Sequence, residues 1–132
     1  MKLLRRKLKY WIYTKVPGKA GKMPYFSTQL HFPTDSHLFE RLCNEGIYEQ
    51  ALLNTILRSP PADGTLLDVG ANIGLTALPV LDRFRDCSVF SFEPSPAAFP
   101  YLRQAHEQCV YSSRWEISDL ALGKDPGEAT FH

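Results

Sequence analysis

The residues best placed to do chemistry lie in one short run, Asp68-Val69-Gly70-Ala71-Asn72-Ile73-Gly74, and in a single acid beyond it, Glu93. The run follows an apolar stretch, Leu66 to Val69, that reads as a strand, and it opens a helical stretch from about Ile73 to Phe84. Doubly wound sheets bind nucleosides at this position, at the carboxyl ends of their strands. Gly70 lets a ligand lie close against the backbone, and Gly74 lets the helix start lie close to the strand. Asp68, at the strand end, can accept hydrogen bonds from an ammonium group or from ordered water. Glu93 stands 19 positions beyond Gly74 and ends a second strand, Val89-Phe90-Ser91-Phe92. A carboxylate there can accept from both ribose hydroxyls, and it repels a phosphate carried on that ribose.

The loop also discriminates between nucleoside ligands. A dinucleotide fingerprint has three glycines as G-x-G-x-x-G, with backbone amides facing a pyrophosphate. Here the two glycines sit four apart, with an acid two residues before the first. An acid beside the ligand is awkward for a pyrophosphate and natural for a cationic sulfonium amino acid, so S-adenosylmethionine fits better. A plain glycine turn capped by Asp68 explains the glycines but leaves the placing of Glu93 to chance.

The elements that must position these residues can be read outward from them. Ser88 to Phe92 is the second strand of the series, and Pro94-Ser95-Pro96 opens a helix with Ser95 as cap and Pro96 in its first position. Trp115 to Leu122 is a third strand, followed by a turn at Asp125-Pro126-Gly127 and an extended piece from Glu128 to His132. Strand–helix–strand–helix–strand at these spacings means an α/β fold with a parallel, doubly wound sheet. Pro79 fits a helix only if Thr76 caps a late start, which places Pro79 in the first turn; otherwise it kinks the helix. Upstream, Tyr25 to Phe32 is a short strand candidate. Asp35 or Ser36 caps a helix carrying Leu38, Phe39 and Leu42, and Ile47 to Leu57 forms another, stopped by Pro60, Pro61 and Gly64.

Of the 132 residues, 44% are hydrophobic and 22% charged, ordinary for one small globular domain. The net charge of +1 hides an asymmetry. Lys2, Arg5, Arg6, Lys7, Lys9, Lys15, Lys19 and Lys22 precede the first acid, Asp35, so a basic arm and linker over residues 1–24 lead into an acidic body over residues 25–132. Leu3, Leu4, Leu8, Trp11 and Ile12 interleave with the arm's charges at roughly helical spacing. Such a segment either packs on the body or makes weak contact with an anionic membrane surface; nucleic acid is not expected as a partner. No apolar run approaches the ~20 residues of a membrane span. The start lacks the apolar core and cleavage site of a signal peptide. Cys43, Cys87 and Cys109 are odd in number and scattered, which suits buried thiols in a reducing, cytoplasmic compartment.

The chain resembles a known family at three motifs in order. Leu67-Asp68-Val69-Gly70-Ala71-Asn72-Ile73-Gly74 is similar to the first motif of the FkbM-type methyltransferases. Phe92-Glu93-Pro94-Ser95-Pro96, continuing through Phe99 and Leu102, is similar to their second. Ala121-Leu122-Gly123-Lys124, then Gly127, is similar to the segment after their third strand, and Gly46-Ile47-Tyr48-Glu49 resembles a lead-in helix of that family. The resemblance runs from about Thr34 to the end. It implies a Rossmann-like fold, S-adenosylmethionine as cofactor, and methyl transfer, often to oxygen, on a small-molecule or sugar-type acceptor. It also implies that Asp68, Gly70, Asn72 and Gly74 line the methionine end and the loop, that Glu93 holds the ribose, and that Ser118 and Asp119 contact the adenine. Tyr48 and Glu49 either close over the cofactor or form a helix face covering the sheet, and the second fits them better.

Members of that family continue with a fourth strand carrying an acidic motif and then further strands. This sequence is expected to hold an incomplete sheet, the first three strands plus N-terminal helices, and to leave the strand Leu66 to Val69 with an unpaired edge. No catalytic base is identified. His31, His37, His106 and His132 lack metal-like spacing and read as surface or structural residues, and no metal is expected. Two other readings stand beside the methyltransferase: an inactive or partner-binding fragment, and an NAD-dependent oxidoreductase, disfavoured by the missing glycine triplet.

Overall fold

The computed structural model describes residues 1–33, 35–59, 64–128 and 130. Thr34, Pro60, Pro61 and His132, which figure in the sequence reading, lie outside them. The chain opens with helix α1 (Lys2–Lys15), followed by the strands β1 (Lys22–Tyr25) and β2 (Thr28–His31) and the helices α2 (His37–Glu45) and α3 (Gln50–Arg58). Then come β3 (Thr65–Val69), α4 (Ala77–Arg83), β4 (Ser88–Phe92), α5 (Phe99–Gln108), a short 3-10 turn (Ser112–Arg114) and β5 (Trp115–Ser118).

Three strands form the parallel sheet, in the order β3-β4-β5, with Leu66 opposite Val89 and Val89 opposite Trp115. This is the α/β, Rossmann-like arrangement that the strand–helix alternation predicts. The side-chain period of two divides the sheet into unlike faces. Val89, Ser91 and Trp115 are buried on the side that α4 and α5 cover. On the other side Leu67 and Val69 are 61% and 63% exposed, next to the partly exposed Phe90 and Phe92. Among the described residues, helices therefore cover one face only, and β3 pairs with β4 alone.

The helical layer is itself covered. α5 lies between β5 and β2, and α4 between β4 and α3. This is why Ala77, Leu78, Pro79, Val80 and Leu81 are all buried, with no solvent stripe on α4. Pro79 does sit in the first turn, because the helix starts late at Thr76, where a missing amide costs nothing. Ser36 caps α2, its Oγ accepting from the Phe39 amide at 3.2 Å.

Five expectations are corrected. The first crossover helix starts at Ala77, not at about Ile73, after a run of turns. Tyr25 to Phe32 is not one strand, because the chain reverses at Phe26-Ser27. The segment Val16 to Pro24 is not wholly linker: Lys22 to Tyr25 form β1, antiparallel to β2, so this hairpin spans the division between residues 24 and 25. Its turn, Phe26-Ser27, holds both residues at positive φ, 38° and 62°, as a tight hairpin requires. The second crossover helix starts at Phe99 rather than at Pro96, because the Ser95 carbonyl first accepts from the Ala98 and Phe99 amides in a turn. The third strand ends at Ser118, not Leu122.

Arg114 ties these pieces together. Its guanidinium donates to the carbonyls of Leu81 (2.9 Å) and Phe84 (3.0 Å), and to that of Cys87, closing the carboxyl end of α4 from the start of β5. The Leu81 carbonyl is among the last four of α4, which have no partner within the helix, and charged hydrogen bonds are among the stronger ones. Replacing Arg114→Met keeps the apolar stem and removes the donors. It should lower unfolding stability by about 2–3 kcal/mol in urea denaturation; a loss under about 0.5 kcal/mol would show that the cap contributes little.

Candidate nucleoside site

Three loops meet at the carboxyl ends of the parallel strands, and one side chain joins them. Glu93, only 8% exposed, places Oε2 2.7 Å from the Asn72 amide and Oε1 2.8 Å from the Ser95 amide. Both N–H groups donate to the carboxylate, so the β3–α4 and β4–α5 loops share one anion. The Glu93 amide donates in turn to the Ser118 carbonyl at 2.9 Å, bringing in the end of β5. A buried carboxylate without a cationic partner is costly unless hydrogen bonds replace its water. Here backbone amides do so. An ionised carboxylate offers about four lone-pair positions, so two remain for a further donor.

Four amides of the glycine loop are committed internally. The Gly70 and Ala71 amides both donate to the Phe92 carbonyl, at 2.9 and 3.0 Å, the Asn72 amide to Glu93, and the Gly74 amide to the Ala71 carbonyl at 2.9 Å. Asn72 has φ 52°, a left-handed conformation that Asn tolerates better than most residues. The two glycines differ in role. At Gly70 (φ 80°) an added Cβ meets nothing within 4 Å, so the backbone there borders open space. At Gly74 (φ 94°) the Cβ would lie 2.6 Å from the Trp115 ring, so Gly74 is a packing glycine, set against β5.

Asp68 is held away from the loop tip, on the helix-covered face. Trp115 Nε1–H donates to Ser91 Oγ at 2.9 Å, and Ser91 Oγ–H donates to Asp68 Oδ2 at 3.2 Å. Desolvation raises the Asp68 pKa above the usual carboxylate range; the Ser91 hydrogen bond opposes this and the Glu93 charge adds to it. Ser91 and Trp115 are the polar partners that sequence reasoning missed. The signal was present in Ser91 itself, a hydroxyl between two phenylalanines of the strand, in register with Asp68.

Ser118 and Asp119 stand at the end of β5, where the Ser118 Oγ accepts from the Leu120 amide at 3.3 Å. Asp119 is exposed and lines a broad open groove with Pro94, Pro96, Leu120, Leu122 and Lys124. The structure thus gathers Gly70, Asn72, Glu93 and Ser118 around one carboxylate and sets Asp119 at the rim. Tyr48 packs partly buried against the core under the Arg41 guanidinium, 4.9 Å from its ring centre, and no hydrogen bond links Tyr48 or Glu49 to the glycine loop among the described residues. His106 Nε2 lies 2.7 Å from the Trp115 carbonyl, a structural bond. Among the described residues no three His, Cys, Asp or Glu come together as a metal site.

No protein-family model matches the chain. No curated protein matches it either. A solved structure described as a "putative RNA methyltransferase" from Pyrococcus horikoshii is similar with a TM-score of 0.43 and 17% identity, over 87% of this chain and 50% of that one. The chain spans about half that protein's length, and a likeness this slight carries no argument about function.

The raised Asp68 pKa sets a pH dependence. The folded state holds this proton more tightly than the unfolded chain, so stability is present below the ordinary carboxyl value and is lost as pH rises toward the raised one. Asp68→Asn keeps an acceptor for Ser91 Oγ–H and removes the charge. The variant's advantage in chemical denaturation should grow with pH through the acid range and level off near neutrality; a pH-independent difference rejects this account.

Proposed function

We propose that this chain is the cofactor-binding part of an S-adenosylmethionine-dependent methyltransferase of the FkbM type, acting by O-methyl transfer on a small-molecule or sugar-type acceptor in a reducing, cytoplasmic setting. One observation carries the reading: Glu93, fixed by two backbone amides, keeps two lone-pair positions beside Gly70, where the backbone faces open space. That is a place for a ribose, whose two hydroxyls are donors. The amides of Gly70, Ala71, Asn72 and Gly74 are all engaged within the protein. At both glycines the amide is already taken, which disfavours a pyrophosphate there and with it a dinucleotide and an NAD-dependent oxidoreductase.

In this reading Glu93 binds the ribose, Gly70 and Asn72 form the floor under the methionine end, and Ser118 and Asp119 border the adenine. Asp68, behind the loop, faces the ammonium group directly or through water, and that cation would restore the charge balance that desolvation disturbs. Gly74 acts through Trp115 rather than on the ligand. When bound, S-adenosylmethionine supplies an electrophilic methyl group on sulfonium. The chain's part is to hold the ligand in one orientation and exclude water from it, since alignment of acceptor and methyl is much of this catalysis. The three buried, unpaired thiols Cys43, Cys87 and Cys109 suit the reducing setting.

Calorimetric titration with S-adenosylhomocysteine tests the proposal. Saturable one-to-one binding is expected. Gly70→Ala should weaken it about tenfold or more by putting a methyl group into the ligand's space, while positive φ alone costs about 1–2 kcal/mol of stability. Absence of binding by a folded chain would sink the reading. The bare Leu67 and Val69 on β3 support a second reading, a partner-binding fragment without activity. Sedimentation would show self-association or capture through that face in this case; a monodisperse monomer that binds S-adenosylhomocysteine argues against it.

A further inference from the structure

α1 contributes no buried residue; Lys9, Ile12, Tyr13 and Thr14 are half-buried and the rest are exposed. Its residues advance by about 100° each, which divides it into two faces. One meets the body: the Tyr10 ring lies 5.7 Å from that of Phe39 in α2, and Tyr13 packs on the core. The opposite face carries Leu4, Leu8 and Trp11 at spacings of four and three, a single apolar stripe. These three are 72%, 55% and 55% exposed. Arg5 borders the stripe on one side and Lys7 on the other. The helix contains no acid.

We propose that this outer face of α1 docks on an anionic lipid surface, with Leu4, Leu8 and Trp11 entering the acyl boundary and the flanking cations lying among the headgroups. The complementarity is of two kinds at once. Basic side chains flanking an apolar stripe match a surface that is anionic outside and apolar within. Tryptophan favours that boundary, with its apolar ring and polar N–H. Among the described residues no helix is long and apolar enough to cross a membrane, so α1 lies along the surface.

Other occupants fit less well. Nucleic acid would use the cations and leave the apolar stripe facing water. A second copy would pair the stripes but set two all-basic helices against each other. An acidic protein groove that wraps an amphipathic helix needs access around it, and α2 already takes one side. The inference is independent of the cofactor reading.

The whole chain and its own two tryptophans provide the test. Trp115 is 1% exposed, so a change in emission on adding vesicles reports on Trp11. Mixed phosphatidylcholine and phosphatidylserine vesicles should shift that emission to the blue and carry the chain into the pellet, with affinity about tenfold or more above that for phosphatidylcholine alone. Trp11→Phe should abolish the shift but not the pelleting. Leu8→Ser keeps every cation of α1 and should bind the mixed vesicles about tenfold more weakly, with an unchanged melting curve because Leu8 is exposed. The proposal is overturned by no vesicle binding from a folded chain, by equal binding to neutral vesicles, or by full vesicle binding of Leu8→Ser. It is equally overturned if the chain ignores vesicles and instead binds polyuridylate RNA or dimerises with rising concentration.

Discussion

A carboxylate buried with no ion-pair partner among the described residues governs the carboxyl end of the parallel sheet. Glu93 is tolerable there because the Asn72 and Ser95 amides point at its two oxygens. Those amides belong to loops that follow different strands, so the anion acts as a clasp between them. Satisfying it also dictates loop shape. The Asn72 amide reaches Oε2 in a loop where Gly70, Asn72 and Gly74 all have positive φ, and Gly74 leaves the room that the Trp115 ring occupies. The floor of the site, the placing of β5 and the burial of Ser91 follow from that arrangement.

The site was legible because its chemistry is local. The glycine spacing and the acid after the second strand announce a strand–loop–helix turn and a carboxylate at the neighbouring strand end. The structure brings the two within hydrogen-bond distance. Pro79 left two possibilities for α4, a late start at Thr76 or a kink, since proline in a helix has few permitted places, and the structure takes the first. Of the two candidate caps for α2, Asp35 and Ser36, it takes Ser36. What local pattern does not carry is context. Phe26-Ser27 lacks the Asn-Gly type of signal that marks a tight hairpin turn, and Pro24 argues against a strand. The hairpin nevertheless forms, as a two-stranded ribbon where proline is tolerated. It is held by packing on α5 and by the Tyr25 hydroxyl, which donates to the Leu75 carbonyl at 3.0 Å. Likewise Gly74 reads as a close-approach glycine between helix start and strand, but what it makes room for, the Trp115 ring, stands 41 positions later and is not visible in the local pattern.

The two sides of the sheet differ in completeness. One is sealed twice, by α4 and α5 and then by the hairpin and α3, and its residues are nearly all apolar. The other shows Leu67 and Val69 to solvent. A sheet strand rich in aliphatic residues on both faces is suited to burial on both. The basic helix adds another exposed apolar surface, in Leu4, Leu8 and Trp11.

Arg114 has a bearing on the order in which the domain can assemble. α4 has seven residues, too few to persist as an isolated helix, and the carbonyls of Leu81 and Phe84 receive the guanidinium from 33 and 30 positions later. During synthesis the first crossover unit therefore emerges without its final restraint, and it gains that restraint only when the segment before β5 has been made and docked. Loops that must close over such distances slow the search for the native state. The transition state for folding should hence include β5, so that β3, α4 and β4 consolidate together with it as one cooperative event rather than as a unit finished in advance.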